Sequence, residues 1–285
     1  MTEFNLEKQG DKKYTWVDVS EIIRKLIAPD GCPWDREQTH QTIRRNMIEE
    51  AYEAVDAIDS GDSHRLKDEL GDVLLQVFLH SAIAEKSEEF VLDDVTDNLC
   101  RKLISRHTHV FGNDEAKTGE DGYQVWEKNK MKEKKIQKYS DSLSDLPTGL
   151  PALMRADKMQ KRASKAGFDW SSAEGALEKI QEEITEIEDA LLLHQHPKYQ
   201  KVDEIQEPEL HEELEKEMGD LLFSVVNYSR LMGVDSEVAL SRCNEKFLRR
   251  FQRVEELAEE EGRVLAEMTL VEMDALWDIA KQEGL

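Results

Sequence analysis

Proline and strand-forming patterns are scarce in this chain of 285 residues. Its six prolines lie near the ends of long segments in which apolar residues recur every three or four positions, as from Ile43 to Ile58 and from Leu177 to Leu191. That spacing is typical of amphipathic helices, and convincing apolar–polar alternation is missing. The sequence therefore predicts an all-α fold, and its length suits two domains.

Cysteine is also scarce, and no apolar stretch is long. The three cysteines form neither a C-x-x-C pair nor an even framework, which favours reduced thiols in a cytoplasmic protein. Residues 1–16 lack the apolar core of a secretion signal. Val73–Ile83 and Leu221–Met232 are about half the length that crosses a bilayer, so we expect buried helices and no membrane partner.

Positive charge is in deficit, because 38 basic residues stand against 62 acidic ones for a formal net charge of −24. An acidic surface repels phosphate backbones, which argues against a nucleic-acid partner. The same charge suits a phosphate-bearing substrate only if some acids hold divalent cations that bind its phosphates.

The two halves of the chain repeat the same features in the same order. IEEAYEAVDAI precedes KDELGDVLLQV in the first half, as QEEITEIEDAL precedes KEMGDLLFSV in the second, and paired basic residues and a tryptophan follow each. We predict an internal duplication. The predicted organisation is an N-terminal domain at 1–135, a linker rich in Ser, Asp, Pro and Gly at 136–150, and a C-terminal domain at 151–285.

The E-E-x-x-E pattern alone carries little information in so acidic a chain. Glu255, Glu256 and Glu259 form it without any supporting motif. The two repeated copies differ from this isolated pattern, because each of them is followed by E-x-G-D and then by an apolar run. An acid beside a buried helix face is costly unless it is paired, so these acids are candidates for a site.

Helix geometry predicts that the acids of each half converge. Carboxylates three residues apart share one helix face, and two such helices packed antiparallel bring four together. Like charges at about 4 Å repel by about 4 kcal/mol at an effective dielectric near 20, so the cluster requires a cation. All-oxygen ligands predict Mg²⁺, with Mn²⁺ as its substitute. The predicted ligands are Glu50, Glu53, Glu69 and Asp72 in the first half and Glu183, Glu186, Glu217 and Asp220 in the second.

Basic and aromatic residues follow the acids. Lys246, Arg249 and Arg250 lie within about one helical turn and could neutralise phosphate oxygens, with helix-surface ion pairing as the alternative. Trp277 could stack on a base, and Lys281 could reach a phosphate or a ring edge. A core position is the alternative for Trp277.

Both halves resemble the MazG-type nucleoside triphosphate pyrophosphohydrolases of the all-α NTP pyrophosphatase superfamily. The resemblance rests on GCPWDREQTH, IEEAYE and ELGD in the first half, and on EEITE, EMGD, NEKFLRRF and the W-x-x-x-K of Trp277–Lys281 in the second. It implies two helical bundles, a homodimer, and hydrolysis of nucleoside triphosphates to monophosphate and pyrophosphate. Nucleotide-pool housecleaning or alarmone turnover would be the cellular role.

The resemblance also implies roles for individual residues. Glu182 would be a further metal ligand or the base that orients the attacking water, next to Glu183. Lys246 and Arg250 would hold phosphates, and Trp277 with Lys281 would hold the nucleotide. The first-half equivalents are Glu49, Glu50, Glu53, Glu69, Asp72, Lys102, Arg106, Trp126 and Lys130.

One departure separates the halves. Asn244 precedes Lys246, but the aligned first-half residue is Cys100. An amide can donate to a phosphate oxygen, whereas a thiol does so poorly. We therefore predict that the C-terminal site is the main catalyst and that the N-terminal site is weaker or regulatory.

Other functions fit the sequence less well. A di-iron carboxylate bundle needs E-x-x-H on two helices, and only Glu37–His40 matches. A P-loop is excluded because G-x-x-x-x-G-K-[ST] does not occur. The non-enzymatic alternative is an acidic helical dimer with decayed sites that binds a partner or regulates one.

Overall fold

The computed structural model describes residues 13–136, 138–198, 200–202 and 206–285. Within these ranges the regular structure consists of 13 α-helices and one short 3-10 helix, without strands, so the all-α prediction is confirmed. None of these helices combines the length and apolarity needed to cross a membrane. The predicted absence of a secretion signal concerns residues 1–16, and residues 1–12 of this segment lie outside the described residues. The chain divides between Lys134 and Lys135 into two compact parts, unit 1 and unit 2.

Unit 1 is organised around a pair of long helices, α3 (Arg44–Ser60) and α4 (Ser63–Lys86). The turn between them contains Gly61, whose φ of +70° favours glycine, and Asp62, which caps α4 by accepting from the backbone N–H groups of His64 and Arg65. The helices of unit 1 are α1 (Trp16–Ile27), α2 (Pro33–Arg36), α3 (Arg44–Ser60), α4 (Ser63–Lys86), α5 (Leu92–Arg106), α6 (Thr108–Phe111) and α7 (Gly119–Glu133).

The core of unit 1 lies between α1 and the second half of α4. Ile23 and Ile27 of α1 pack with Phe78 and Leu79 of α4. The prediction that Val73–Ile83 is buried therefore holds for its C-terminal part only. Leu74 and Leu75 at its start are exposed.

Unit 2 contains a second pair of long helices, α10 (Ala173–Leu193) and α11 (Pro208–Leu231), and α9 (Ala152–Ser164) packs against α11. The segment predicted as a linker, 136–150, contains helix α8, and the Ser142 carbonyl there accepts a hydrogen bond from Arg162 of α9. Residues 199 and 203–205 of the loop between α10 and α11 lie outside the described residues. The helices of unit 2 are α8 (Tyr139–Ser144), α9 (Ala152–Ser164), α10 (Ala173–Leu193), α11 (Pro208–Leu231), α12 (Ser236–Glu260) and α13 (Leu270–Gln282), with the 3-10 helix at Leu265–Glu267.

A core cluster of unit 2 joins α12 to α13 through Val254, Ala258 and Leu276. The prediction of a buried helix at Leu221–Met232 is wrong for most of its apolar residues. Val226 is buried, but Leu222 is 56% exposed. The helices that pack on α11 within unit 2 cover only part of its circumference, so an apolar face remains at the surface.

Candidate active site

Three carboxyl groups of unit 2 converge where α10 and α11 pack together. Oxygens of Glu183, Glu186 and Glu217 all lie within 4.8 Å of one another, and we call these residues the unit 2 acid group. Glu183 and Glu186 share one face of α10 because they are three residues apart. Glu183 is buried, Glu217 is half-buried and Glu186 is exposed, so the group lies at the edge of the packed interior.

Unit 1 contains the corresponding cluster between α3 and α4. Oxygens of Glu50, Glu69 and Asp72 lie within the same 4.8 Å limit, and these residues form the unit 1 acid group. The predicted ligands Glu53 and Asp220 are not members of these two groups. The structure thus brings together three of the four predicted ligands in each half.

Burial and neighbouring carboxyl groups raise the pKa of one acid in each group, Glu50 and Glu186. The pKa of Glu50 is raised by burial first, and then by the charges of Asp72, Glu53 and Glu69. The pKa of Glu186 is raised first by contact with the Glu183 carboxyl, which becomes a hydrogen bond when one of the two is protonated. Such mutual repulsion is relieved when a cation binds.

Among the described residues, the buried carboxylate of Glu183 forms an ion pair with Lys179. Nζ of Lys179 contacts Oε1 of Glu183 at 2.6 Å and Oε1 of Glu182 at 3.1 Å. Oε2 of Glu183 is buried without a hydrogen-bond donor among the described residues. Oxygen ligands and a buried, undonated carboxylate oxygen suit a hard divalent cation. The sequence interpretation missed Lys179, although its position one turn before Glu183 was a usable signal.

The predicted nucleotide residues of unit 2 lie on α12 and α13, where Arg250 contacts Trp277. The Arg250 guanidinium lies 5.8 Å from the centre of the Trp277 ring, and its Nε donates to the backbone oxygen of Leu285 at 2.7 Å. Trp277 also packs against the α12–α13 core, which agrees with the alternative prediction of a core position for this residue. Lys281 pairs with Asp278, while Asn244 and Lys246 are exposed on α12.

Unit 1 repeats this arrangement of arginine over tryptophan. The guanidinium of Arg106 lies 5.4 Å from the centre of the Trp126 ring, and Nζ of Lys130 lies 4.8 Å from it. Glu133 accepts two hydrogen bonds from Arg106, at 2.9 and 3.0 Å. Lys102, one helical turn before Arg106 on α5, is half-buried. The shared geometry is what a duplicated unit would produce.

A cavity of about 540 Å³ adjoins the acid group of unit 2, and we call it the unit 2 cavity. Glu183, Lys179 and Asp220 line it on one side. Phe168 and Trp170 contribute aromatic rings, which the sequence interpretation also missed. The signal available for them was the aromatic pair in the G-F-D-W segment that follows α9.

The comparison with known proteins places both units in one family. The model of the MazG nucleotide pyrophosphohydrolase domain matches residues 38–111, in unit 1, and 171–255, in unit 2. Nucleoside triphosphate pyrophosphohydrolase/pyrophosphatase MazG of Thermotoga maritima is 42% identical over 260 residues, which are 91% of this chain and 93% of that protein. The nucleoside triphosphate pyrophosphohydrolase of Escherichia coli K12 is 38% identical over 265 residues, or 93% and 96% of the two chains. The chain belongs to the MazG family.

Proposed function

We propose that this protein hydrolyses nucleoside triphosphates to the monophosphate and pyrophosphate, using Mg²⁺ held by the unit 2 acid group. The observation that carries the proposal is the convergence of Glu183, Glu186 and Glu217 from two helices within 4.8 Å. Family membership and the names of the two full-length relatives support the same reaction.

Each residue of the proposed unit 2 site would have its own chemical role in this reaction. Bound Mg²⁺ would supply positive charge to the phosphate oxygens and lower the pKa of a bound water. Glu182, adjacent to the acid group, would accept the proton of the attacking water. The guanidinium of Arg250 and the ammonium of Lys246 would bind phosphate oxygens, and the exposed amide of Asn244 would donate a further hydrogen bond.

Unit 2 is proposed as the main catalyst and unit 1 as a weaker or regulatory site. Glu183 is 3% exposed, whereas its first-half equivalent, Glu50, is only half-buried. The residue equivalent to Lys179 in the first half is Asn46, which carries no charge. Electrostatic interactions are stronger in the drier environment, which favours unit 2.

We further propose that the protein is a homodimer. Apolar side chains remain exposed on helices of unit 2, including Leu222 at 56%, Phe247 at 57% and Leu248 at 49%. A second copy of the chain would cover exposed apolar side chains of this kind. Light scattering coupled to size exclusion should give twice the mass of the 285-residue chain, and a monomer at micromolar concentration would contradict the proposal.

The cytoplasm is the proposed location, with nucleotide-pool housecleaning as the proposed role. Cys32, Cys100 and Cys243 are free thiols, as a reducing compartment would maintain them.

One assay tests the reaction. The protein is incubated with each of the common nucleoside triphosphates and Mg²⁺, and the products are identified by ³¹P NMR. Monophosphate and pyrophosphate are expected, and excess chelator should abolish their formation. Diphosphate and orthophosphate would refute the proposed reaction. Intact triphosphates would instead favour the partner-binding alternative.

A further inference from the structure

The unit 2 cavity is built mainly from residues that have no role in holding a metal. It is lined by Leu143 of α8, the end of α9, the following loop, and the facing sides of α10 and α11. Its volume of about 540 Å³ lies in the range of small-molecule sites, roughly 300–1,000 Å³. Its position beside Glu183 places it next to the proposed reaction centre.

The loop after α9 is held in a defined conformation that presents two aromatic rings. Gly167 has a φ of +82°, which favours glycine, and the N–H of Phe168 donates to the oxygen of Ala163 in the helix-ending pattern. Phe168 is then 83% exposed, so most of its ring surface is available to a ligand.

Two further contacts fix the remainder of this loop. Arg230 of α11 donates two hydrogen bonds to the Asp169 carboxylate, at 3.0 and 2.5 Å. The ring of Trp170 lies so close to Gly175 of α10 that a Cβ there would be 2.5 Å from the ring. The aromatic residues are therefore anchored to both long helices of the unit.

A buried amide faces the cavity with one unsatisfied atom. Gln160 is 6% exposed, and its Nε2 donates to the oxygen of Phe223 at 2.8 Å, which fixes the orientation of the amide. Its Oε1 has no hydrogen-bond donor among the described residues. A buried acceptor without a donor costs about 1–3 kcal/mol, so a ligand that donates to Oε1 would be favoured.

A second amide in the cavity offers the complementary group. Nε and Nη2 of Arg230 donate to Oδ1 of Asn227 at 3.1 and 2.8 Å. The Asn227 amide can therefore offer its Nδ2 as a donor. The cavity thus combines an acceptor, a donor and flat aromatic surfaces, which match the edge and the faces of a heterocyclic base.

The first half of the chain lacks this combination. When the two E-x-G-D segments are aligned without gaps, Leu79 and Ala82 take the positions of Asn227 and Arg230. Both belong to the hydrophobic core of unit 1. The amide and its orienting arginine are therefore particular to unit 2.

We propose that the unit 2 cavity binds the nucleobase of the substrate, with Phe168 and Trp170 as stacking surfaces and Gln160 and Asn227 as contacts to the base edge. The proposal rests on the proposed function, because it assigns a subsite of the same active site. It adds the aromatic residues of this loop to the predicted nucleotide residues, of which Trp277 packs against the α12–α13 core.

The first test compares ligands with and without a base. Calorimetry measures the binding of a non-hydrolysable α,β-methylene nucleoside triphosphate and of inorganic tripolyphosphate, both with Mg²⁺. Phe168→Ala should weaken nucleotide binding by about 5- to 150-fold, the range for loss of one stacked base, and leave tripolyphosphate binding within about twofold. Phe111→Ala removes a phenylalanine of unit 1 that is also exposed, at 62%, and should change the binding of neither ligand.

The second test concerns the base edge. Gln160→Met keeps the length of the side chain and should change the ratios of kcat/KM among ATP, GTP, CTP and UTP by about 2- to 10-fold. Thermal unfolding of the variant checks that it remains folded. Asn227→Ala removes an amide that is less buried than that of Gln160, and it should shift the same kcat/KM ratios.

The outcomes separate the two proposals. Nucleotide binding that is unchanged in Phe168→Ala, or weakened equally for tripolyphosphate, overturns the base subsite and leaves the reaction standing. Unchanged base ratios in both amide variants also overturn the assignment of the edge contacts. Failure of the unaltered protein to bind either ligand overturns the proposed function itself, and the subsite with it.

Discussion

Nζ of Lys179 lies 2.6 Å from Oε1 of Glu183, a carboxylate that is 3% exposed and belongs to the unit 2 acid group. The lysine and a divalent cation would therefore compensate the same buried charge. Without a metal, Lys179 is the cation that pairs with Glu183 among the described residues. With a metal, the lysine is less necessary for stability.

We expect Lys179→Met to make stability depend on Mg²⁺. In chelator, the variant leaves a buried carboxylate without its partner, so its free energy of unfolding should fall by about 1–3 kcal/mol. Added Mg²⁺ should restore most of this loss, and should raise the melting temperature of the variant more than that of the unaltered protein. Lys161→Met removes an exposed lysine that pairs with the half-buried Asp157, outside the unit 2 acid group, and serves as the control. Equal Mg²⁺-dependent increases in all three proteins would contradict the shared-charge interpretation.

Matched glutamine substitutions should reveal the functional difference between the two units. Glu183→Gln removes a charged ligand of the unit 2 acid group and should lower kcat at least about 100-fold, the upper range for disturbing residues that support a metal. Glu50→Gln should cost much less. Glu255→Gln, in the unsupported E-E-x-x-E of α12, should leave turnover within about twofold. Steady-state assays measure all three, and equal losses for the first two would contradict the asymmetry.

Glu272 should contribute a pH-dependent part of the stability of unit 2. The backbone N–H and hydroxyl of Thr269, followed by Arg263, lower the pKa of Glu272 from 4.5 to about 2. Because the folded-state pKa is below the unfolded-state value, the stabilisation is complete above about pH 4.5 and is lost as the pH falls toward about 2. Glu272→Gln should therefore lower the melting temperature near neutrality.

The difference between Glu272→Gln and the unaltered protein should shrink through the acidic range. Melting curves between about pH 7 and 2.5 measure it. Glu255→Gln controls for the removal of one surface charge from so acidic a chain. A difference that stays constant with pH would show that the effect of Glu272→Gln comes from packing and not from ionisation.

The convergence of the acids could be predicted from sequence because it follows from local geometry. Glu183 and Glu186 share a helix face by their spacing, and pairing of the helices supplies Glu217. The unit 2 cavity could not be predicted in this way, since Phe168 and Asn227 come from segments far apart in the chain and are joined by the Arg230–Asp169 contact. The exposure of Leu222 was missed because periodicity predicts that a helix has an apolar face but not what covers it.

Two helical glycines of unit 2 should respond in opposite ways to the same change. Alanine is favoured over glycine in a helix by up to about 1 kcal/mol. A Cβ on Gly219, inside α11, would meet no heavy atom within 4 Å, so Gly219→Ala should raise the free energy of unfolding. A Cβ on Gly175 would lie 2.5 Å from the Trp170 ring, which must then move. Overpacking of this kind typically costs about 1–3 kcal/mol, so Gly175→Ala should be neutral or destabilising.

Urea unfolding in chelator compares the two glycine variants without any contribution from metal. Because Gly175→Ala displaces Trp170, it should also weaken binding of the α,β-methylene nucleotide while sparing tripolyphosphate, as Phe168→Ala does. The two variants thus link a steric contact in the folded chain to recognition of the base. If Gly175→Ala instead stabilised the protein as much as Gly219→Ala and bound nucleotide normally, the Trp170 ring would have room to move without cost, and its fixed position could not contribute to the subsite.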